Sequence, residues 1–169
     1  GESLKTWRYG ADASADPGAL AGRLVADVEW LKRSAPGAAL GCVQDAGPEL
    51  RALPEALTRA FPGEQVTRLV DFHHLLEYLA EVVRTCEPAG DPHHMLDWYR
   101  SELSYRNDAI DRIFRNLRRR ATRLQREQAA ARTAMAKALR YIRKRRPLMR
   151  YAAASERGLP IGSGATEST

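Results

Sequence analysis

Two stretches decide the fold: Ala38-Ala39-Leu40-Gly41-Cys42-Val43-Gln44-Asp45 and Gln65-Val66-Thr67-Arg68-Leu69-Val70-Asp71. Each is a short, mostly apolar run that stops at an aspartate. Runs of this length suit strands of a parallel sheet, and the first, with its continuous apolar character, suits burial on both faces. Between them Ala46-Gly47-Pro48 makes a turn, and Pro48 suits the first turn of a helix. Leu50, Leu53, Leu57 and Phe61 follow at helical spacing and Pro62-Gly63 ends the stripe. A second helix is expected from about Phe72 to Cys86, with Leu75, Leu79, Val82 and Val83 on its inner face. Strand, helix, strand, helix predicts parallel strands joined by a right-handed crossover. Asp45 and Asp71 then lie at the carboxyl ends of neighbouring strands, where open α/β sheets place their ligands.

On the amino-terminal side, residues 3–9 alternate and read as a strand, followed by a loop from Gly10 to Gly18. Leu20, Leu24, Val28 and Leu31 mark a helix from about Ala19 to Ser34, ended by Pro36-Gly37. On the other side, Glu87 to Pro92 is a break, and the reading is then all helix to about Arg157. Ala121 to Arg145 holds no Gly or Pro and is a strong helix former. Residues 158–169, Gly-Leu-Pro-Ile-Gly-Ser-Gly-Ala-Thr-Glu-Ser-Thr, form a glycine-rich turn leading into the first turn of another helix, which carries Glu167. The fold class is α/β: a partial mixed sheet with helices (1–88), a basic all-helical insertion (89–157) and a return to the core (158–169).

The 169 residues are 44% hydrophobic and 28% charged, an ordinary globular composition. No apolar run approaches the roughly 20 residues that span a bilayer, so no membrane partner is expected. No leader is visible, Gly1 is not Met, and the last turn is unfinished, so the chain reads as a piece of a longer one. Cys42 and Cys86 are too few for a disulfide framework and read as small buried residues in a reducing compartment. Residues 1–99 carry 9 Lys/Arg against 15 Asp/Glu, whereas residues 100–150 carry 17 against 4, a net +13. So few interleaved acids favour a polyanion partner, most simply nucleic acid, over a merely solvated helical surface. The densest basic positions are Arg118, Arg119, Arg120 and Arg123, then Arg143, Lys144, Arg145 and Arg146; their expected role is phosphate contact, which gives affinity without sequence information.

Asp45, Asp71 and Glu167 are the acids of interest. Carboxylates gathered at strand ends are a usual means of holding Mg²⁺, which prefers oxygen ligands. Either aspartate can instead cap the helix that follows it. His73 and His74 at a helix start can contact phosphate or simply pack. His93 and His94, in the loop before the insertion, lack zinc-ligand spacing with the cysteines. Trp7, Trp30 and Trp98 read as packing residues rather than stacking platforms.

With these residues in place the chain resembles a bacterial DDE-class insertion-sequence transposase of the Kra-type group. Val43-Gln44-Asp45-Ala46-Gly47 resembles the family's strand ending in Asp-Gly-Ala. Val70 to Leu79, with Asp71-Phe72-His73-His74 and Glu77-Tyr78-Leu79, resembles its Asp-Phe-Tyr-His-x-x-Glu-His-Leu motif. Tyr141 to Tyr151, followed by Gly158 to Glu167, resembles its closing segment. The resemblance implies an RNase H-like fold, with Asp45 as the second catalytic acid, Glu167 as the third and the first on an earlier strand outside this chain. It implies Asp71 and His74 as site support, Mg²⁺ (or Mn²⁺) as cofactor, and transposon-end and target DNA as partners. It further implies a homo-oligomeric, bacterial, nucleoid-associated cytoplasmic parent that cuts and joins strands, this piece being inactive alone. Two other readings stay open: a nucleic-acid-binding remnant without chemistry, and a helical self-association domain built on 121–145.

Overall fold

The computed structural model describes residues 16–44, 52–86 and 92–162. The chain is mixed α/β and mostly helical. Its order is α1 (Pro17–Ser34), β1 (Leu40–Gln44), α2 (Ala52–Ala60), β2 (Val66–Val70), α3 (Phe72–Cys86), α4 (Pro92–Tyr105), α5 (Ala109–Ala121), α6 (Ala129–Arg145), a 3-10 turn (Arg146–Leu148) and α7 (Tyr151–Glu156). The strand expected at 3–9 lies outside the described residues. Among the described residues no helix is long and apolar enough to cross a membrane.

β1 and β2 pair in parallel, in register from Leu40 opposite Val66 to Gln44 opposite Val70. Parallel neighbours need a crossover, and α2 is that crossover. β1 is only half-buried along most of its length among the described residues, less than its apolar run predicts. Asp16 caps α1 by accepting the Gly18 amide at 3.0 Å, with Pro17 in the first turn. Leu20, Leu24 and Val28 of α1 close on Leu53 and Leu57 of α2. Lys32 ties the far end of α1 down: its ammonium donates to the carbonyls of Pro36 and Ala38 and meets Glu64 at 2.6 Å.

The larger core gathers around α3. Leu75, Leu79 and Val82 are fully buried, on a helix whose apolar positions recur as the sequence predicts. Tyr99 and Leu103 of α4, Ile113 and Leu117 of α5, and Met135, Ala138 and Ile142 of α6 join the same cluster. It also takes in Val70 and Tyr151, so buried packing runs continuously across the boundary expected at 88/89. Trp98 packs partly buried against this cluster, and Trp30 is half exposed on α1. Trp7 lies outside the described residues.

The helix-forming stretch 121–145 is not one helix. α5 ends at Ala121 and α6 begins at Ala129. In between, the Thr122 hydroxyl donates to the Arg119 carbonyl at 2.9 Å and the Gln128 side chain accepts the Gln125 amide at 2.9 Å. Such local bonds compete with the helical ladder. The larger cause is burial: folding back lets α5 and α6 both lay apolar stripes on one core, which a continuous rod would leave in water. The Arg146 guanidinium bonds Asp111, so the end of α6 lies beside the start of α5 and the pair is an antiparallel hairpin.

Leu79→Ala removes a fully buried side chain at the centre of the larger cluster. It is expected to lower unfolding free energy by about 2–5 kcal/mol, read as an earlier midpoint in urea. Asp111 supplies a pH signature. The Arg146 hydrogen bond, and then its charge, hold the Asp111 carboxyl below its usual value. The stability this adds is present above the ordinary Asp value of about 3.9 and is lost as pH falls through the lowered one. Between neutral pH and about pH 3, Asp111→Asn is expected to lose less of its urea midpoint than the parent sequence does.

Candidate functional site

The carboxyl end of the sheet is where chemistry-bearing side chains converge. The Asp71 amide donates to the Gln44 carbonyl at 2.8 Å, extending the β1–β2 ladder by one bond. The next amide, Phe72, donates at 3.0 Å to the carbonyl of Ile161, a residue of the returning glycine-rich segment. The Asp71 carboxylate accepts the His73 amide at 2.7 Å and, more weakly, that of His74 at 3.4 Å. The first amides of α3, which have no helical partner, are thus taken up by a strand-end side chain and a distant loop. Asp71 is only 6% exposed. Burying a carboxylate is costly unless it is hydrogen-bonded, and a helix start supplies both donors and favourable dipole.

The returning segment is shaped to arrive there. Gly158, at φ +69°, takes the left-handed conformation after α7, where a side chain is disfavoured. Leu159 then buries against Leu69 and Ala154, and Ile161 reaches Phe72. At Gly162 a Cβ would stand 2.6 Å from His73 Cδ2 and 3.6 Å from the Asp71 carboxylate. A Cβ here would fit only if the exposed His73 ring turned aside.

His74 links this end to α6. Its Nδ1 lies 3.0 Å from Glu77, and its ring meets Tyr78 and Tyr141 edge-on at 5.4 and 5.5 Å. Tyr78 and Tyr141 stack at 4.3 Å, and the Arg145 guanidinium lies over Tyr141 at 4.4 Å. Tyr151 packs edge-on against Phe72 at 5.2 Å. Burial first, then Tyr141 and the Asp71 charge, push the Tyr151 phenol well above its usual value, so it stays neutral. Its hydroxyl and the Gln44 side-chain oxygen are both buried with no hydrogen-bond partner among the described residues.

Asp45 and Glu167, the expected catalytic and metal-binding acids, lie outside the described residues. Gln44, whose carbonyl Asp71 engages, directly precedes Asp45; Gly162 precedes Glu167 by five residues, a reach of at most about 18 Å. Asp71 and His74 come together at the start of α3, Asp71 as its cap. Among the described residues no three His, Cys, Asp or Glu side chains gather as a metal group. His93 and His94 stand in the first turn of α4 rather than in a loop, and Cys42 and Cys86 are free, half-buried thiols.

The basic residues fall into two groups at opposite ends of the α5–α6 hairpin. Arg118, Arg119 and Arg123 are exposed and Arg120 half-buried where α5 ends; Arg143 and Lys144 are exposed where α6 ends. Arg145 lies on Tyr141 and Arg146 on Asp111, so both also hold the fold. Three cations that the clusters overshadowed connect them: Arg132, Lys137 and Arg140, all exposed on α6. At 3.6 residues per turn they share an arc of about 140° with Arg143 and Lys144. α6 contains no acid, and this periodicity was the signal that could have found the stripe.

Gly162→Ala is expected to destabilise the chain by no more than about 1 kcal/mol, because the new methyl makes only the exposed His73 ring turn aside. A second change, His73→Ala, is expected to recover part of that loss, and urea midpoints of the double-mutant cycle measure the coupling. A scan against protein-family models, a search of curated proteins and a search of solved structures each find no match.

Proposed function

We propose that this chain is the part of a DDE-type DNA transposase with an RNase H-like core that carries the second and third catalytic acids, Asp45 and Glu167. One observation carries the reading: the Phe72–Ile161 hydrogen bond brings the glycine-rich segment to the sheet end from which β1 runs into Asp45. Two stretches far apart in sequence, each leading to an acid, therefore meet at one place. The rest of the arrangement accords with it. Asp71 fixes the start of α3, and the narrow gap at Gly162 sets how close the returning segment comes. His74, clamped by Glu77 and Tyr141, orders the join between the sheet end and α6. The exposed cations of α6 would hold the DNA backbone, a contact that positions without specifying.

A donor set of carboxylate oxygens fits Mg²⁺ or Mn²⁺, and Asp45 and Glu167 are the residues that would hold it. When bound, such an ion polarises the phosphodiester and activates the attacking oxygen. Asp71 is not a ligand on this reading, because its carboxylate is engaged by the α3 amides.

A second reading, a nucleic-acid-binding remnant without chemistry, is favoured by the acid-free stripe on α6. The two separate in one assay. In the full-length parent, Asp45→Asn and Glu167→Gln are each expected to abolish metal-dependent cleavage of transposon-end DNA while leaving binding intact. Cleavage at the normal rate by Asp45→Asn sinks the transposase assignment. Binding without cleavage by the unaltered parent, in either metal, leaves the remnant.

A further inference from the structure

A second basic feature lies away from the sheet end. Between β2 and the 3-10 turn with α7 is a cavity of about 310 Å³. Three arginines distant in sequence line it: Arg68 from β2, Arg150 from the lead-in to α7, and Arg157 from just beyond it. Among the described residues none of its lining side chains is acidic. Glu64, close by in the chain, is paired with Lys32 instead.

Arg157 is held in place: its Nη1 donates to the Thr67 hydroxyl at 2.8 Å. A guanidinium has five donors in a fixed fork, so one bond to Thr67 orients Arg157 without exhausting it. Arg68 is the more telling group. Its Nε is buried and has no hydrogen-bond partner among the described residues. A buried cationic donor without an acceptor is costly, and native structures rarely leave one unexplained. Three arginines lining an acid-free hollow describe a seat for an oxyanion. Arginine forks match the oxygens of a phosphate in pairs.

We propose that the Arg68–Arg150–Arg157 cavity seats a backbone phosphate of a nucleic-acid strand. Pro147 lines the cavity directly after Arg143–Arg146. The hollow therefore continues the basic end of α6, and one strand can lie on both. A free phosphate ion has no use for that continuity. The proposal rests on the reading that this chain holds nucleic acid, and not on its cutting it.

The test is equilibrium binding of a fluorescent DNA duplex by the chain at several salt concentrations. Arg150→Gln/Arg157→Gln is compared with Arg23→Gln/Arg59→Gln, an equal charge change on exposed positions of α1 and α2. The pocket pair is expected to weaken binding at least about tenfold and to flatten the salt slope by about one to two. The control pair is expected to change affinity less than about twofold. Arg150→Gln alone, at an exposed position with no part in the core, is expected to give an intermediate loss with an unchanged urea midpoint. Equal losses in the two pairs overturn the proposal, as does a chain that binds no DNA. A second arm titrates inorganic phosphate while following the Arg157 Nε–H resonance. A shift with phosphate but none with DNA makes the cavity a free-anion site and overturns the nucleic-acid assignment. Failure of the transposase reading is told apart, because pocket-dependent DNA binding without cleavage removes that reading and leaves this one standing.

Discussion

The start of α3 is the constraint on which the structure depends. Four consecutive residues, Asp71 to His74, hand their amides to acceptors outside the helical ladder: a neighbouring strand, a loop about ninety residues away in sequence, and the Asp71 side chain. A helix can begin with such amides pointing into water, but not when its first turn is buried. Here Asp71 and Phe72 are both buried, so their acceptors are required, while the Asp71 carboxylate takes up the amides of exposed His73 and half-buried His74. Meeting that requirement fixes β2 beside β1 and brings the segment around Ile161 back to the sheet.

From that anchored start α3 serves two neighbourhoods at once. Its first residues close the sheet end, while its length provides the surface on which α4 and α6 lie. The helical segment 92–157 is therefore built onto the same core as the strands. The Tyr78–Tyr141 stack with Arg145 above it continues this join at the surface, where aromatic faces meet a cation and lose little by partial hydration. Charge follows the same division: the acid-rich half builds the sheet, and the basic half faces solvent beyond α3.

Much of this was legible in the residues. The paired runs ending at Asp45 and Asp71 marked two parallel strands, and the leucine spacing of 72–86 marked α3 to its boundaries, because burial on one face leaves a periodic trace. The break at 122–128 was not legible, because propensity favours helix throughout and only the hairpin's shared core overrules it. The half exposure of Trp30 was missed for a related reason: hydrophobicity says a side chain can be buried, not how much of it is. Of the candidate site, Asp71 as a cap could be read locally. The meeting of Ile161 and Gly162 with Phe72 and His73 could not, since no periodicity links positions ninety apart. The Arg68, Arg150 and Arg157 cavity was hidden in the same way, being assembled by topology from residues ordinary in isolation.

The gap at Gly162 has a consequence for how this molecule can change over generations. The position contributes no side-chain donor, acceptor or charge, yet a side chain there would force the His73 ring away from its place beside the buried Asp71. Selection on it acts through shape alone. A lineage that keeps the His73 ring where it stands will keep Gly162, as it keeps an acid that does chemistry. In a comparison among descendants the two kinds of invariance look alike, and only the geometry tells a residue that acts from one that must stay out of the way.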